Sequence, residues 1–331
     1  MNTGRSTRVV KRLLPAALHA PLGQIRQYVA ADAVERRLLR LRLRRHMFFG
    51  LAKRYTPALV VDWPEGRFIV NTWDEEVGRK TFRDGPYDAD VLELVIQRLN
   101  ELLPAFTVAG HDVLEVGANV GTTTIPLINR FGVARVFAFE PAPHTERLLA
   151  ATVAANGLED RVQLHGVALS DRVATEAMVM NPGNSGDYRI LVDDDGQRPA
   201  AFGAGGEDRW QTVHVQVTTL DRLIDEGGVS LERVRLAWID TQGHEPYVLA
   251  GAQRLLASDV PLFIEYWPYG LDQAGGLEAL ERLLAEHYDV FCEPGSTGLR
   301  SIRELPSFAA HRGDFRWWTN VILLRRQWLE A

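Results

Sequence analysis

From Asp112 onward, short apolar runs alternate with stretches of helical periodicity: "DVLEVGA", "RVFAFEP", "VQLHGVALS", "RLAWIDT", "PLFIEYW", "DVFCEP" and "NVILLRR". Runs without polar alternation belong to strands buried on both faces, as parallel strands are when helices cover each side. The helices between them read in "PHTERLLAATVAANGL", closed by Asn156 and Gly157, in "EPYVLAGAQRLLA" and in "GLEALERLLAEHY". Strand and helix in repeated order predict an open, doubly wound α/β sheet of Rossmann-like type. At 331 residues, 46% of them hydrophobic and 24% charged, the chain can bury such a sheet and carry an appendage.

Three regions lie outside that rhythm. Residues 57–105 begin with "ALVVDWPEGRFIVN", two short strands around a Pro-Glu-Gly turn, and continue into helical "DEEVGRKTFRDG" and "YDADVLELVIQRLNELL", which together would cover the core formed by 106–331. Residues 171–220 hold strand-like "ATEAMVM" and "VHVQVTTL" separated by turn-rich "NPGNSGDY" and "GAGGEDR", an insertion expected on the carboxyl edge of the sheet. Residues 1–56 carry 13 Lys or Arg against 2 Asp or Glu, so a basic head precedes an acidic body. Leu38, Leu41 and Met47 among arginines predict a basic helix. Its arginines pack against the acidic body, or alternatively lie on an anionic membrane surface or against a second copy in a homodimer. Nucleic acid is disfavoured, because the basic residues come without a binding module.

A single cysteine, Cys292, excludes an internal disulfide framework and suits a cytoplasmic protein. No window has the ~18 consecutive apolar residues of a transmembrane helix. The early "LLPAALHA" is too short and too interrupted by Pro15 for a signal peptide.

"DVLEVGANVGTTTIPL" runs a strand into Gly117 and Gly121 and then into a helix. Glycine admits close approach of a ligand, and the helix start offers free N–H groups. Glu140 ends the next strand, where a carboxylate can accept both hydroxyls of a ribose. The plainer reading is a tight turn, with Glu140 serving only the helix that opens at Pro141. If a nucleoside binds, the G-x-N-x-G turn lacks the third glycine of a dinucleotide fingerprint. Glu115 would repel a pyrophosphate and attract a cationic amino acid, which favours S-adenosylmethionine.

"LEVGANVGTTTIPL", "VFAFEPAPHTERLL", "NPGNSGD", "TTLDRL" and "WIDTQGHEPYVLAGA" occur in this order. Together they resemble the FkbM-type family of S-adenosylmethionine-dependent methyltransferases over roughly residues 70 to 326. The resemblance implies a seven-stranded sheet with its last strand, "NVILLRR", antiparallel. It also implies O-methylation of a hydroxyl on a small molecule such as a sugar, polyketide or related natural-product metabolite. Carried onto this chain, Glu115, Gly117, Asn119 and Gly121 would surround the methionine part of the cofactor and Glu140 would hold the ribose. Ala168 and Leu169 would lie against the adenine, with Asp171 near its amino group. The alternative for the Ala168–Leu169 pair is simple core packing.

Asp240 ends the fourth core strand on the side where doubly wound sheets bind ligands, so it is expected both beside the cofactor and at the chemistry. His244 titrates nearest neutral pH and suits a base, unless it is only a loop residue. Glu245 is a third catalytic candidate, although an acid just before Pro246 also suits a first helical turn. Glu265, Tyr266 and Trp267 are expected to line the acceptor pocket, or the two aromatics to be core. Asn184 and Ser185 of "NPGNSGDY" are expected in a lid. No metal is assigned. The family commonly carries a glutamate where this chain has Gln242, so any role of that glutamate is vacant here or passes to Asp240 or Glu245. N-methylation, and a non-catalytic scaffold that keeps the fold, are the competing functions.

Overall fold

The computed structural model describes residues 33–191, 210–311 and 317–330. The chain enters through α1 (Ala33–Ala52), the hairpin β1 (Ala58–Trp63) and β2 (Gly66–Asn71), then α2 (Val77–Asp84) and α3 (Ala89–Leu102). Next come β3 (Asp112–Val116), α4 (Thr124–Asn129), β4 (Arg135–Phe139), α5 (Pro143–Ala155) and β5 (Val162–His165), the first parallel half of the main sheet. A second sheet contains β6 (Ala168–Leu169), β7 (Ala174–Met180), β8 (Tyr188–Ile190) and β9 (Gln211–Thr218). After α6 (Leu220–Asp225) the main sheet resumes with β10 (Val234–Ile239), α7 (Glu245–Ala250), α8 (Gln253–Ala257) and β11 (Leu262–Tyr266). It finishes through α9 (Pro268–Gln273), α10 (Leu277–His287), β12 (Val290–Cys292), β13 (Arg300–Ser301), a 3-10 segment over Ile302–His311, β14 (Thr319–Leu324) and α11 (Arg326–Leu329).

The main sheet has the order β13-β12-β14-β11-β10-β3-β4-β5. β14 runs antiparallel to β11, as the resemblance implies. The expected count of seven strands is corrected to eight, because Arg300–Ser301 adds a two-residue edge strand on β12. Two residues carry no readable apolar pattern. The chain builds outward from β3 to β5, then crosses back to place β10 on the other side of β3. That crossover leaves a crevice at the carboxyl ends of β3 and β10, where a ligand can enter between diverging connections.

Each central strand buries both faces. On β3, Leu114 and Val116 join one apolar cluster with Ile239, Leu249, Leu255 and Leu280, while Val113 joins the other with Phe68, Leu92, Val95 and Ile125. The hairpin and α3 thus supply one layer of the core. Full burial of such side chains contributes about 1.5–3 kcal/mol each. Glu115 follows the same alternation and points toward the α4 side, inside the protein.

Two readings of continuous elements need correction. "VQLHGVALS" is two strands, since the chain leaves β5 after His165 and Ala168–Leu169 pairs with Val217–Thr218 in the second sheet. "EPYVLAGAQRLLA" is two helices, Glu245–Ala250 and Gln253–Ala257, and at the break between them the backbone runs so close to Ser170 that a Cβ on Gly251 would lie 2.0 Å from its carbonyl oxygen. The insertion supplies three strands besides β6. Its "GAGGEDR" turn, within 192–209, lies outside the described residues, as does the first part of the basic head, residues 1–32.

Helix α1 rests on the body. Phe49 is 1% exposed and its ring lies 5.7 Å from that of Phe82, while Arg45 covers the Trp63 ring at 4.3 Å. Arg42 pairs with Asp84 at 3.2 Å and Lys53 with Glu75 at 2.5 Å. Leu38, Leu41 and Met47 are exposed. Among the described residues no helix is long and apolar enough to cross a membrane.

Candidate active site

A cavity of about 340 Å³ opens at the crossover. Of the residues singled out in the sequence, it brings together Gly117, Asn119, Glu140, Ala168, Leu169, Asn184, Ser185, Asp240, His244, Glu265 and Trp267. Glu115, Gly121, Asp171, Glu245 and Tyr266 are not on its wall.

The turn after β3 forms one end. Gly117 has φ 94°, and a Cβ on it would lie 1.9 Å from the Asp240 carbonyl oxygen, so only glycine fits between the two strand ends. Asn119 is also left-handed, at φ 49°. Its N–H donates to Glu140 Oε2 at 3.0 Å, and the Ala142 N–H donates to Glu140 Oε1 at 2.9 Å. Each Glu140 oxygen keeps a further lone-pair direction for a ligand hydroxyl. Burial, partly offset by these two N–H groups, pushes Glu140 up to about 7.

The residues off the wall have other work. Glu115 accepts from the Thr123 hydroxyl and, at 2.6 Å, from the Thr124 hydroxyl, so it braces the start of α4 from behind the turn. Gly121 faces Leu149 and Thr152 of α5, a packing role. Asp171 is exposed beside Arg172 at 3.6 Å. Tyr266 is fully buried core whose hydroxyl donates to Glu281 at 2.7 Å. Glu245 is buried, with Oε1 accepting from the Thr241 N–H at 2.7 Å and Oε2 from the Gly243 N–H at 3.0 Å. It holds the turn that presents Asp240.

The carboxyl ends of β10 and β11 carry the acid side of the cavity. Gln242 Nε2 donates to Asp240 Oδ1 at 2.7 Å and to Glu265 Oε2 at 2.6 Å. Burial raises Asp240 to about 6, with the Gln242 bond opposing the rise. Glu265 is raised well above its usual range by burial first, then by Asp240, Glu245, Asp88 and Asp187. His244 is 4% exposed, its Nε2 lies 3.0 Å from the Ser170 hydroxyl, and its ring stacks on Tyr247. Burial, with Arg172 nearby, pushes it down to about 3, which keeps the imidazole neutral and weakly basic.

The roof is a loop. Ser185 donates to Asp74 Oδ2 through its hydroxyl and, at 3.2 Å, through its N–H, and the Glu75 N–H reaches the Gly183 carbonyl at 2.8 Å. "NPGNSGDY" is therefore fastened to the segment between β2 and α2.

Sequence reading missed Tyr87, Asp88, Arg189, Trp238 and Phe263 on the wall. Asp88 has the form of a helix cap before "ADVLEL", yet it sits at φ 60° without a side-chain cap bond, so its carboxylate is left to the cavity. Burial and Asp240 push it up to about 7. Trp238 and Phe263 looked like strand core, and alternation alone could not show that their rings reach the crevice. Among the described residues no group of three or more His, Cys, Asp or Glu is arranged to hold a metal ion.

The donor set fits S-adenosylmethionine: a carboxylate for ribose hydroxyls at Glu140, apolar Phe139, Val167 and Leu169 for a base, and Asp240 and Glu265 for a cation. The Methyltransferase FkbM domain family matches residues 115–289. The 2-O-methyltransferase NoeI of Sinorhizobium fredii is 30% identical over 159 residues, 46% of this chain and 62% of that protein. The AMB antimetabolite synthetase AmbE of Pseudomonas aeruginosa is 28% identical over 257 residues, 69% of this chain and 11% of that one. The chain thus spans less than two thirds of either relative. The solved O-methyltransferase from Bacillus cereus in complex with SAH is 15% identical, with TM-score 0.36 over 77% of this chain and 99% of that one. With more than half of its residues matched by the family, this chain belongs to the FkbM methyltransferases, and its cofactor is S-adenosylmethionine.

Proposed function

We propose that the protein methylates a hydroxyl group of a small-molecule metabolite of the sugar or natural-product kind, with 106–331 as the methyltransferase domain, 57–105 as its cover and 181–188 as its lid. The observation that carries this is Asp240. It stands at the end of β10 on the cavity wall, backed against Gly117, with Oδ1 tied to Gln242. S-adenosylmethionine supplies an electrophilic methyl group on a sulfonium. In this reading Glu140 holds the ribose hydroxyls, and the Gly117–Asn119 turn lets the amino-acid part lie close to the backbone. Asp240 takes the proton of the acceptor hydroxyl, and Trp267 with Glu265 forms the acceptor wall. His244, neutral and bound to Ser170, shapes the wall without carrying the proton. The relative's name as a 2-O-methyltransferase supports an oxygen acceptor. Helix α1 covers the body, and its exposed Leu38, Leu41 and Met47 support a secondary contact with a second copy or an anionic membrane.

Calorimetry with S-adenosylhomocysteine tests the cofactor site, and a mass-shift screen of metabolites with labelled S-adenosylmethionine tests the acceptor class. No binding by folded protein sinks the reading. A mass shift confined to amines replaces it with N-methylation.

A further inference from the structure

The turn that follows β10 is built around one amide. Gln242 sits at φ 55° and Gly243 at φ 101°, where a Cβ would lie 2.6 Å from the Gly270 carbonyl oxygen. Left-handed backbone at a non-glycine residue is costly and persists only where surroundings impose it. Here Glu245 imposes it, accepting from the N–H groups on either side of Gln242, those of Thr241 and Gly243. The outcome is that the side chain turns back across two adjacent strand ends. Its Nε2 carries two N–H donors, and the two acceptors within reach are Asp240 Oδ1 at 2.7 Å and Glu265 Oε2 at 2.6 Å.

We propose that Gln242 is a positioning residue for methyl transfer: its amide ties one oxygen of Asp240 and one of Glu265, and so leaves Asp240 Oδ2 as the oxygen presented to the acceptor. This rests on the reading of Asp240 as the proton acceptor. An amide suits the task because it is neutral and has two donors in one plane. A glutamate there would place a third carboxylate between two others, and an apolar side chain would leave both carboxylates facing each other without a donor.

The titratable and charged groups facing Asp240 are Glu265 on β11, Tyr87 and Asp88 before α3 and Glu245 on α7; Lys80 faces Asp88, and Asp187 faces Glu265. All are retained when only residue 242 changes. Full-length protein and its Gln242→Met and Gln242→Leu variants, neither of which has a donor or a titration of its own, are titrated calorimetrically with S-adenosylmethionine and with S-adenosylhomocysteine from pH 5 to 9. The two ligands share the ammonium and differ in the sulfonium, so their affinity ratio reports the ionisation of the carboxylates beside the methyl. The expected wild-type ratio rises with pH. In either variant that folds, its midpoint is displaced upward by about one pH unit, because the donor that favours the Asp240 anion is gone. A residue that only shaped the turn would lower both affinities without moving the midpoint. An unmoved midpoint in either folded variant overturns the proposal. Absence of binding by the wild type is a different result, and it refutes the cofactor site.

Discussion

Gly117 and Asp240 meet backbone to backbone: a single methyl group on Gly117 would lie 1.9 Å from the Asp240 carbonyl oxygen. The proposed cofactor turn and the proposed base therefore share one fixed distance, set by the parallel pairing of β3 and β10. Gly117→Ala is expected to cost about 3 kcal/mol or more, since it adds this clash to a left-handed φ. It should also abolish S-adenosylhomocysteine binding. Denaturant unfolding and calorimetry check both, and a stable, binding variant contradicts the arrangement.

Glu140 accepts from two backbone N–H groups, so Glu140→Ala strips the Asn119 turn of its anchor as well as removing the carboxylate proposed to hold the ribose. Affinity for S-adenosylhomocysteine should fall roughly 10- to 100-fold. Asp171→Ala, off the cavity wall, should leave it unchanged. If the Asp171 variant loses affinity instead, the adenine end lies elsewhere than the wall indicates.

Asp240→Asn should lower turnover of a hydroxyl acceptor on the order of 100-fold, the usual range for removing a general base. His244→Gln should lower it far less, because a buried imidazole pushed down to about 3 takes up no proton near neutrality. Single-turnover rates separate the two. Equal losses would return His244 to the chemistry, and no loss from Asp240→Asn would favour an amine acceptor.

Without ligand the acid wall should make stability depend on pH. Asp240 at about 6 and Asp88, Glu115, Glu140 and Glu245 at about 7 bind protons in the folded state that the unfolded chain has released. Stability therefore falls as pH rises from about 4 to 7. His244 works oppositely, as do His46 and His165, since burial depresses each and the unfolded chain holds a proton the folded one lacks, but they are outnumbered by the raised carboxylates, which also include Asp74 and Glu265. The urea midpoint should be lower at pH 8 than at pH 5, and bound S-adenosylmethionine should narrow the gap. A higher midpoint at pH 8 would mean that these carboxylates are solvated.

Phe49→Ala should cost about 3 kcal/mol, because its ring is buried against Phe82 and its removal leaves a cavity between α1 and α2. Thermal unfolding reads this directly. A change within about 0.5 kcal/mol would show that α1 is not docked in solution.

Periodicity and turn chemistry were enough to read the doubly wound sheet, the strand ending in Gly117 and the acids Glu140 and Asp240, because each signal is contained in a dozen neighbouring residues. The same locality hid the eighth strand, whose two residues have no period, and the helix break at Gly251, where the backbone passes close against the distant Ser170. Glu115 read as a cofactor ligand from its place before a glycine turn. Strand alternation turns it inward to Thr123 and Thr124.

The sequence by itself determined which residues end the parallel strands, and hence the kind of fold and which side chains stand at the crevice. Only the tertiary structure decided how the acids divide their work. Asp88, before α3, and Asp240, after β10, line one cavity, where burial and then Asp240 raise Asp88, while Gln242 joins two strand ends through one amide. Whether a carboxylate meets solvent, a hydroxyl or another carboxylate depends on side chains far apart in the chain, and that environment sets its charge.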